Sequence, residues 1–334
     1  MRLIPVALLG LLALGNHALA QDAYFELQNV QDAKAVCNDG SIANYWIARN
    51  SSKKWLIQLP GGGSGWPASS FERRADEMKS PARSASGTRS IRDSAIAHQF
   101  HRHGYNVVWL HYCSSDLYGG SHRNEINGEQ VPFMGRAIMS SIVEEHSLSL
   151  SEAEDIVLAG TSAGVYGIIL NLDLFASYRT PRLILDGIWR DDYQKSVAKP
   201  EWFNQTDDWV PYLLGDMPSH CNGDFYEYCW VDRRTLERHG INKAFIIMNL
   251  GDPYNFVKNE SGASEFAESM QRDASHVGGG FSVDAKKYRL RGAMEWGHGL
   301  ITDQSDYSQS VDGESLQSLI DRWIDGETPV HIRY

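Results

Sequence analysis

The chain has 334 residues, 42% of them hydrophobic and 22% charged, a composition that excludes a disordered, collagen-like or coiled-coil protein. Its formal charge of −11 repels phosphate backbones and gives no general attraction to anionic lipids, so nucleic acid is not an expected partner. A local basic patch could still receive a polyanionic substrate, and the length is enough to bury a sizeable core.

Taken in chain order, the first signal is a leader. Arg2 supplies a positive charge, residues 3–14 are apolar, and Ala18-Leu19-Ala20 places small residues where a signal peptidase reads. Residues 1–20 are therefore expected to be a signal peptide cleaved before Gln21, which makes the protein secreted or periplasmic. The apolar run is too short to span a bilayer, and no other long apolar run exists, so no stable membrane insertion is expected. Residues 21–334 read as a single domain.

Apolar, β-branched runs predict strands at 55–59, 106–110, 156–159, 182–185, 244–248 and 288–290. Helical patterns fall between them at about 91–103, 133–147, 164–177 and 313–325. Near-continuous apolar strands alternating with helices imply an α/β fold, a mostly parallel sheet flanked by helices. Sites in such sheets form at the carboxyl ends of the strands. Residues 61–90, rich in Gly, Ser and Arg, read as a long surface loop with one short helix. Residues 189–231 are rich in aromatics, among them Trp189, Trp202, Phe203, Trp209, Tyr212, Phe225, Tyr226, Tyr228 and Trp230. They read as a lid-like insertion over the strand ends. Its rings would stack on sugars, line an acyl pocket or simply pack.

Gly160-Thr161-Ser162-Ala163-Gly164 is the sharpest motif. It follows a predicted strand and opens a predicted helix. So tight a turn needs small flanking residues, and it lifts the serine hydroxyl above the sheet edge as a nucleophile. The helix behind it aims its first amides at developing negative charge. Pro60-Gly61-Gly62-Gly63-Ser64-Gly65 follows the first strong strand, where esterases of the α/β-hydrolase type place a glycine-rich oxyanion loop. Together with the Ala163 amide, one or two of its amides would bind an oxyanion. No G-K-[ST] follows, so a phosphate loop is excluded.

A general base and its orienting acid should follow the serine in the order acid, then histidine. The histidines after Ser162 are His220, His239, His276, His298 and His331. His298, in Trp296-Gly297-His298-Gly299 directly after the last predicted strand, has small neighbours and is the expected base. His331 reads as part of a surface tail. Asp252, closing strand 244–248, is the expected acid. Asp186, at the end of strand 182–185, is the competitor that could instead fix a loop. His98, His101 and His103 read as a solvated helix end. No CxxC pair occurs, so a metal site is not expected, and an acyl-enzyme route through serine needs neither metal nor cofactor. Cys37, Cys113, Cys221 and Cys229 allow three pairings in an exported chain.

These segments resemble the pectin acetylesterase/Notum family of α/β-hydrolase carboxylesterases. The resemblance rests on Cys37-Asn38-Asp39-Gly40-Ser41, the 59–63 glycine loop, Tyr112-Cys113-Ser114-Ser115-Asp116, Phe133-Met134-Gly135, the 158–164 serine motif and Asn171-Leu172-Asp173. It implies Ser162, Asp252 and His298 as a catalytic triad, and oxyanion donors near Gly62, Gly63 and Ala163. It also implies disulfides Cys37–Cys113 and Cys221–Cys229. The family's usual Gly-Gly-Trp-Cys continuation is replaced here by Gly63-Ser64-Gly65-Trp66. Members cleave either acetyl groups from pectin or a fatty acyl group from a lipidated protein. The expected partner is thus an ester substrate, with an acylated glycan favoured. A lipid, fatty-acyl or aryl esterase is the alternative, and a non-catalytic binding protein the reading from another class.

Overall fold

The computed structural model describes residues 24–68, 71, 88–190, 206–223, 225–252, 260–290 and 297–333. The expected leader, residues 1–20, lies outside the described residues. A ten-stranded sheet organises the chain. Its strands are β1 (Tyr24–Asn29), β2 (Asn44–Ala48), β3 (Lys54–Leu59), β4 (Thr88–Ser90), β5 (Asn106–Leu110), β8 (Asp155–Thr161), β9 (Arg182–Asp186), β10 (Ala244–Asn249), β11 (Gly280–Val283) and β14 (Val330–Ile332). A separate hairpin pairs β6 (His122–Ile126) with β7 (Glu129–Phe133), and β12 (Ser310–Val311) pairs with β13 (Glu314–Ser315). The main sheet runs β14-β11-β10-β9-β8-β3-β5-β2-β1-β4. It is parallel from β14 to β5 and antiparallel from there to β4.

The strand period of two sorts the core onto both faces. Leu56, Val157, Ile184 and Ile247 pack with the Ala95–Arg102 and Leu316–Ile324 helices. Their neighbours Ile57, Leu158, Leu185 and Ile246 pack on the other face. There they meet the helices Gly135–Glu145, Ala163–Leu170 and Glu260–Val277. Trp209, Leu213, Phe225 and Trp230 of the 189–231 segment join this second core, which makes plain packing the role of those rings. Residues 191–205 and 224 of that segment, with Trp202 and Phe203, lie outside the described residues.

Two expectations are corrected. Residues 288–290 form no strand: Ala285–Tyr288 is a helical turn, capped by the Asp284 carboxylate accepting from the Lys286 and Lys287 amides at 3.0 and 3.2 Å. The strand lies just upstream at Gly280–Val283, hidden in the sequence by its glycine run. His331 is not surface tail but sits in β14, 3% exposed, with its ring stacked on Phe281 at 5.8 Å. Pairing with β11 draws the segment inward.

Disulfides join Cys37 to Cys113, 76 residues apart, and Cys221 to Cys229, 8 apart. The longer loop removes more freedom from the unfolded chain. Replacing Cys37 and Cys113 by Ala should lower the unfolding free energy by about 4 kcal/mol, read by urea titration, and by more than loss of the shorter loop.

Candidate active site

β3, β8, β9 and β10 are neighbours in the sheet and end at one edge. Register sets Leu59 opposite Gly160 and Thr161 opposite Asp186, so the segments that follow β3, β8 and β9 emerge side by side. Ser162 occupies the turn from β8 into the Ala163–Leu170 helix with φ 53° and ψ −115°. Such a backbone costs a non-glycine residue on the order of 1–3 kcal/mol and persists only where its surroundings enforce it. Here the Ser162 amide donates to the Asp186 carbonyl at 2.8 Å, and the Val165 amide donates to the Ser162 carbonyl at 2.9 Å. The helix lies so close to β3 that a β-carbon at Gly164 would fall 1.9 Å from the Leu59 carbonyl oxygen. One at Gly160 would fall 2.6 Å from the Gly164 backbone.

The glycine loop leaves β3 directly beside the serine. A β-carbon at Gly61 would meet Ser162 Cβ at 3.0 Å, so the first glycine, which sequence reasoning passed over, is the one against the serine. Gly62 and Gly63 follow with φ of 154° and 70°. The amides of Gly62, Gly63 and Ala163 form no hydrogen bond with any described residue. Ala163 opens its helix, where an amide has no intrahelical acceptor.

His298 is 3% exposed and Asp252 is 2% exposed. The Asp252 carboxylate and His298 Nδ1 are hydrogen-bonded. The imidazole lies over Gly187, whose β-carbon position is 3.1 Å from His298 Cε1. Gly187 directly follows β9, the strand beside the serine's own. Asp186 has a different task. Its carboxylate accepts from the Leu300 amide at 2.8 Å, from Ile301 at 3.2 Å and from the Thr161 hydroxyl at 3.1 Å. It therefore ties the loop carrying His298 to the end of β8. Burial pushes its carboxyl up to about 6, against the pull of those donors.

Four other histidines are engaged elsewhere. His220 Nε2 meets the Ile169 carbonyl, His239 the Tyr228 carbonyl, His276 Glu237 and His103 Asp321. Among the described residues, His220, Cys229 and His239 alone cluster with metal-ligand spacing. Cys229 is spent in the disulfide with Cys221 and offers no thiolate.

The family model described as Pectinacetylesterase matches residues 18–184. The chain belongs to the pectinacetylesterase family. That match takes in the glycine loop and Ser162, and ends before Asp252 and His298. The palmitoleoyl-protein carboxylesterase NOTUM of Schmidtea mediterranea is 32% identical over 337 residues, covering 90% of this chain and 62% of its own. Notum1' of Xenopus laevis is 34% identical over 170 residues, 47% of this chain and 33% of the relative. The chain thus spans between 33% and 62% of the length of these relatives. The solved Wnt deacylase Notum from Drosophila superposes with a TM-score of 0.66 at 21% identity, over 90% of this chain and 93% of that one. A second crystal form gives 0.68, over 94% and 96%. The fold is that of an α/β-hydrolase.

Two outcomes follow. Gly164→Ala should lower the unfolding free energy by about 1–3 kcal/mol, because the Leu59 carbonyl cannot retreat without distorting β3. Asp186 has its proton held more tightly folded than unfolded. The stability from this group is full below its unfolded range near pH 4 and is lost as pH rises through about 6. Wild type should therefore lose stability relative to Asp186→Asn between pH 4 and 6, in paired denaturation curves.

Proposed function

We propose that this chain is a secreted serine carboxylesterase, with Ser162 as nucleophile, His298 as general base and Asp252 as the acid that orients it. The Asp252–His298 hydrogen bond beside the strained Ser162 turn carries the reading. With Nδ1 engaged by Asp252, His298 Nε2 takes the Ser162 proton as the serine oxygen attacks the ester carbonyl. The oxyanion collects at the amides of Gly62, Gly63 and Ala163, one such donor typically contributing about 3–4 kcal/mol. His298 then protonates the departing alcohol. Water attacks the acyl-enzyme with His298 again as base, and the acid leaves. The chain's own residues suffice for every step.

The substrate we favour is an acetylated glycan such as pectin. Bulky rings pack at the far end of the glycine loop: a β-carbon at Gly65 would lie 3.2 Å from Phe133 and 3.4 Å from Phe71, and Tyr212 meets Trp66 at 5.0 Å and Phe133 at 5.6 Å. We read these rings as closing the site around a short acyl group. A second reading, fatty-acyl hydrolysis, draws on the relatives that carry the name palmitoleoyl-protein carboxylesterase. It needs an apolar tunnel, where each buried methylene contributes about 0.8 kcal/mol.

A series of p-nitrophenyl esters from acetate to palmitate separates the two. Hydrolysis should peak at acetate and fall at least about a thousand-fold in Ser162→Ala. A peak at medium or long chains would replace the acetylesterase reading by the fatty-acyl one. Turnover that survives in Ser162→Ala would remove the serine mechanism.

A further inference from the structure

We propose that Asp116 is a positioning residue for the oxyanion loop: its buried carboxylate shapes the 112–120 turn so that two tyrosine hydroxyls clamp the glycine loop at Pro60 and Gly63. The proposal rests on the esterase reading above and adds the element that holds its oxyanion donors.

Asp116 is fully buried and forms no ion pair among the described residues. Its partners are donors from its own turn and from the start of the Gly135–Glu145 helix. The Ser114 hydroxyl donates at 2.6 Å, and the amides of Tyr118, Gly120 and Gly135 donate at 3.0, 3.2 and 2.7 Å. The fit admits nothing larger, since a β-carbon at Gly135 would fall 2.3 Å from the carboxylate. An isolated buried acid opposes folding, and here burial pushes the carboxyl up to about 7 despite its donors. Shape is what this arrangement secures. Ser115, Leu117 and Tyr118 all adopt left-handed backbones, with φ of 56°, 56° and 62°. A run of these at bulky residues persists only when surrounding contacts impose it, and such strain gathers at functional sites.

The result of that shape is a clamp. The Tyr118 hydroxyl donates to the Pro60 carbonyl at 2.9 Å. The Tyr112 hydroxyl donates to the Gly63 carbonyl at 2.8 Å and accepts from the Leu117 amide at 2.9 Å. The two rings stack at 4.4 Å, and the Gly65 amide donates to the Ser115 carbonyl at 2.6 Å. A peptide unit is planar, so fixing a carbonyl fixes the next amide on the opposite side. Tyr118 thereby sets the Pro60–Gly61 plane and Tyr112 sets the Gly63–Ser64 plane. The two peptide units between them carry the Gly62 and Gly63 amides. Glycines otherwise wander, and a displacement of about 1 Å at such donors can cost about a hundred-fold in rate.

The test uses Tyr112→Phe, Tyr118→Phe and Asp116→Asn in the full chain, with circular dichroism to establish folding. Each is assayed for kcat and KM on p-nitrophenyl acetate. Each is also assayed for affinity toward phenylboronic acid, which forms a tetrahedral adduct on a reactive serine. We expect kcat and boronate affinity to fall together by about ten- to a hundred-fold, with KM held within about two-fold, because the donors act mainly on the tetrahedral state. A turn that is structural alone would lower thermal stability and leave both quantities at wild-type values in folded protein, and that result overturns the proposal. If Asp116→Asn does not fold, the two tyrosine variants decide. Absence of Ser162-dependent hydrolysis in wild type would overturn the esterase reading, and this proposal with it. Retained kcat in the variants overturns this proposal alone.

Discussion

The site depends on how closely one helix approaches one strand. The Ala163–Leu170 helix passes the end of β3 with room for hydrogen atoms only, at Gly164 against the Leu59 carbonyl. That approach forces the turn at Ser162 into a backbone that serine would not choose. It also delivers the glycine loop, which leaves β3 at the same point, to within van der Waals contact of the serine through Gly61. Serine turn and glycine loop are thus brought together by one packing contact, and the tyrosine hydroxyls at Pro60 and Gly63 then hold the loop's peptide planes.

Two buried acids divide the labour around His298. Asp252 touches the imidazole directly, engaging Nδ1. Asp186 touches no atom of the ring by hydrogen bond, yet through Leu300 and Ile301 it holds the loop that carries it. Asp186 ends β9 and Asp252 lies just beyond β10, its parallel neighbour, and both are buried. Their difference is one of partners. A third acid, Asp116, repeats the second pattern across the site by gathering backbone amides, this time behind the glycine loop.

Much of this was legible in the sequence where geometry restricts residue type. The elbow admits only small residues at 160 and 164, so Ser162 stood out. The parallel strands β3, β5, β8, β9 and β10 are buried on both faces and showed as apolar runs. The antiparallel edge did not show. β1 alternates exposed and buried residues weakly and β4 has three residues; at the parallel end, β11 was hidden because it opens on glycine. His331 read as tail because its burial comes from pairing with a distant strand. The choice between Asp252 and Asp186 rested on chain order, since both end strands, and only spatial contact separates them. Asp116 was legible as part of a motif but not in its role. Backbone amides from 118, 120 and 135 leave no trace in residue type, apart from the two glycines whose reason appears only in three dimensions.

Reaction of the chain with a fluorophosphonate ester, followed by peptide mapping by mass spectrometry, tests the central claim most directly. The account predicts one phosphonyl adduct per molecule, on the peptide containing Ser162, formed far more slowly in His298→Ala. An adduct on another residue, or labelling of Ser162 at an unchanged rate without His298, would contradict it.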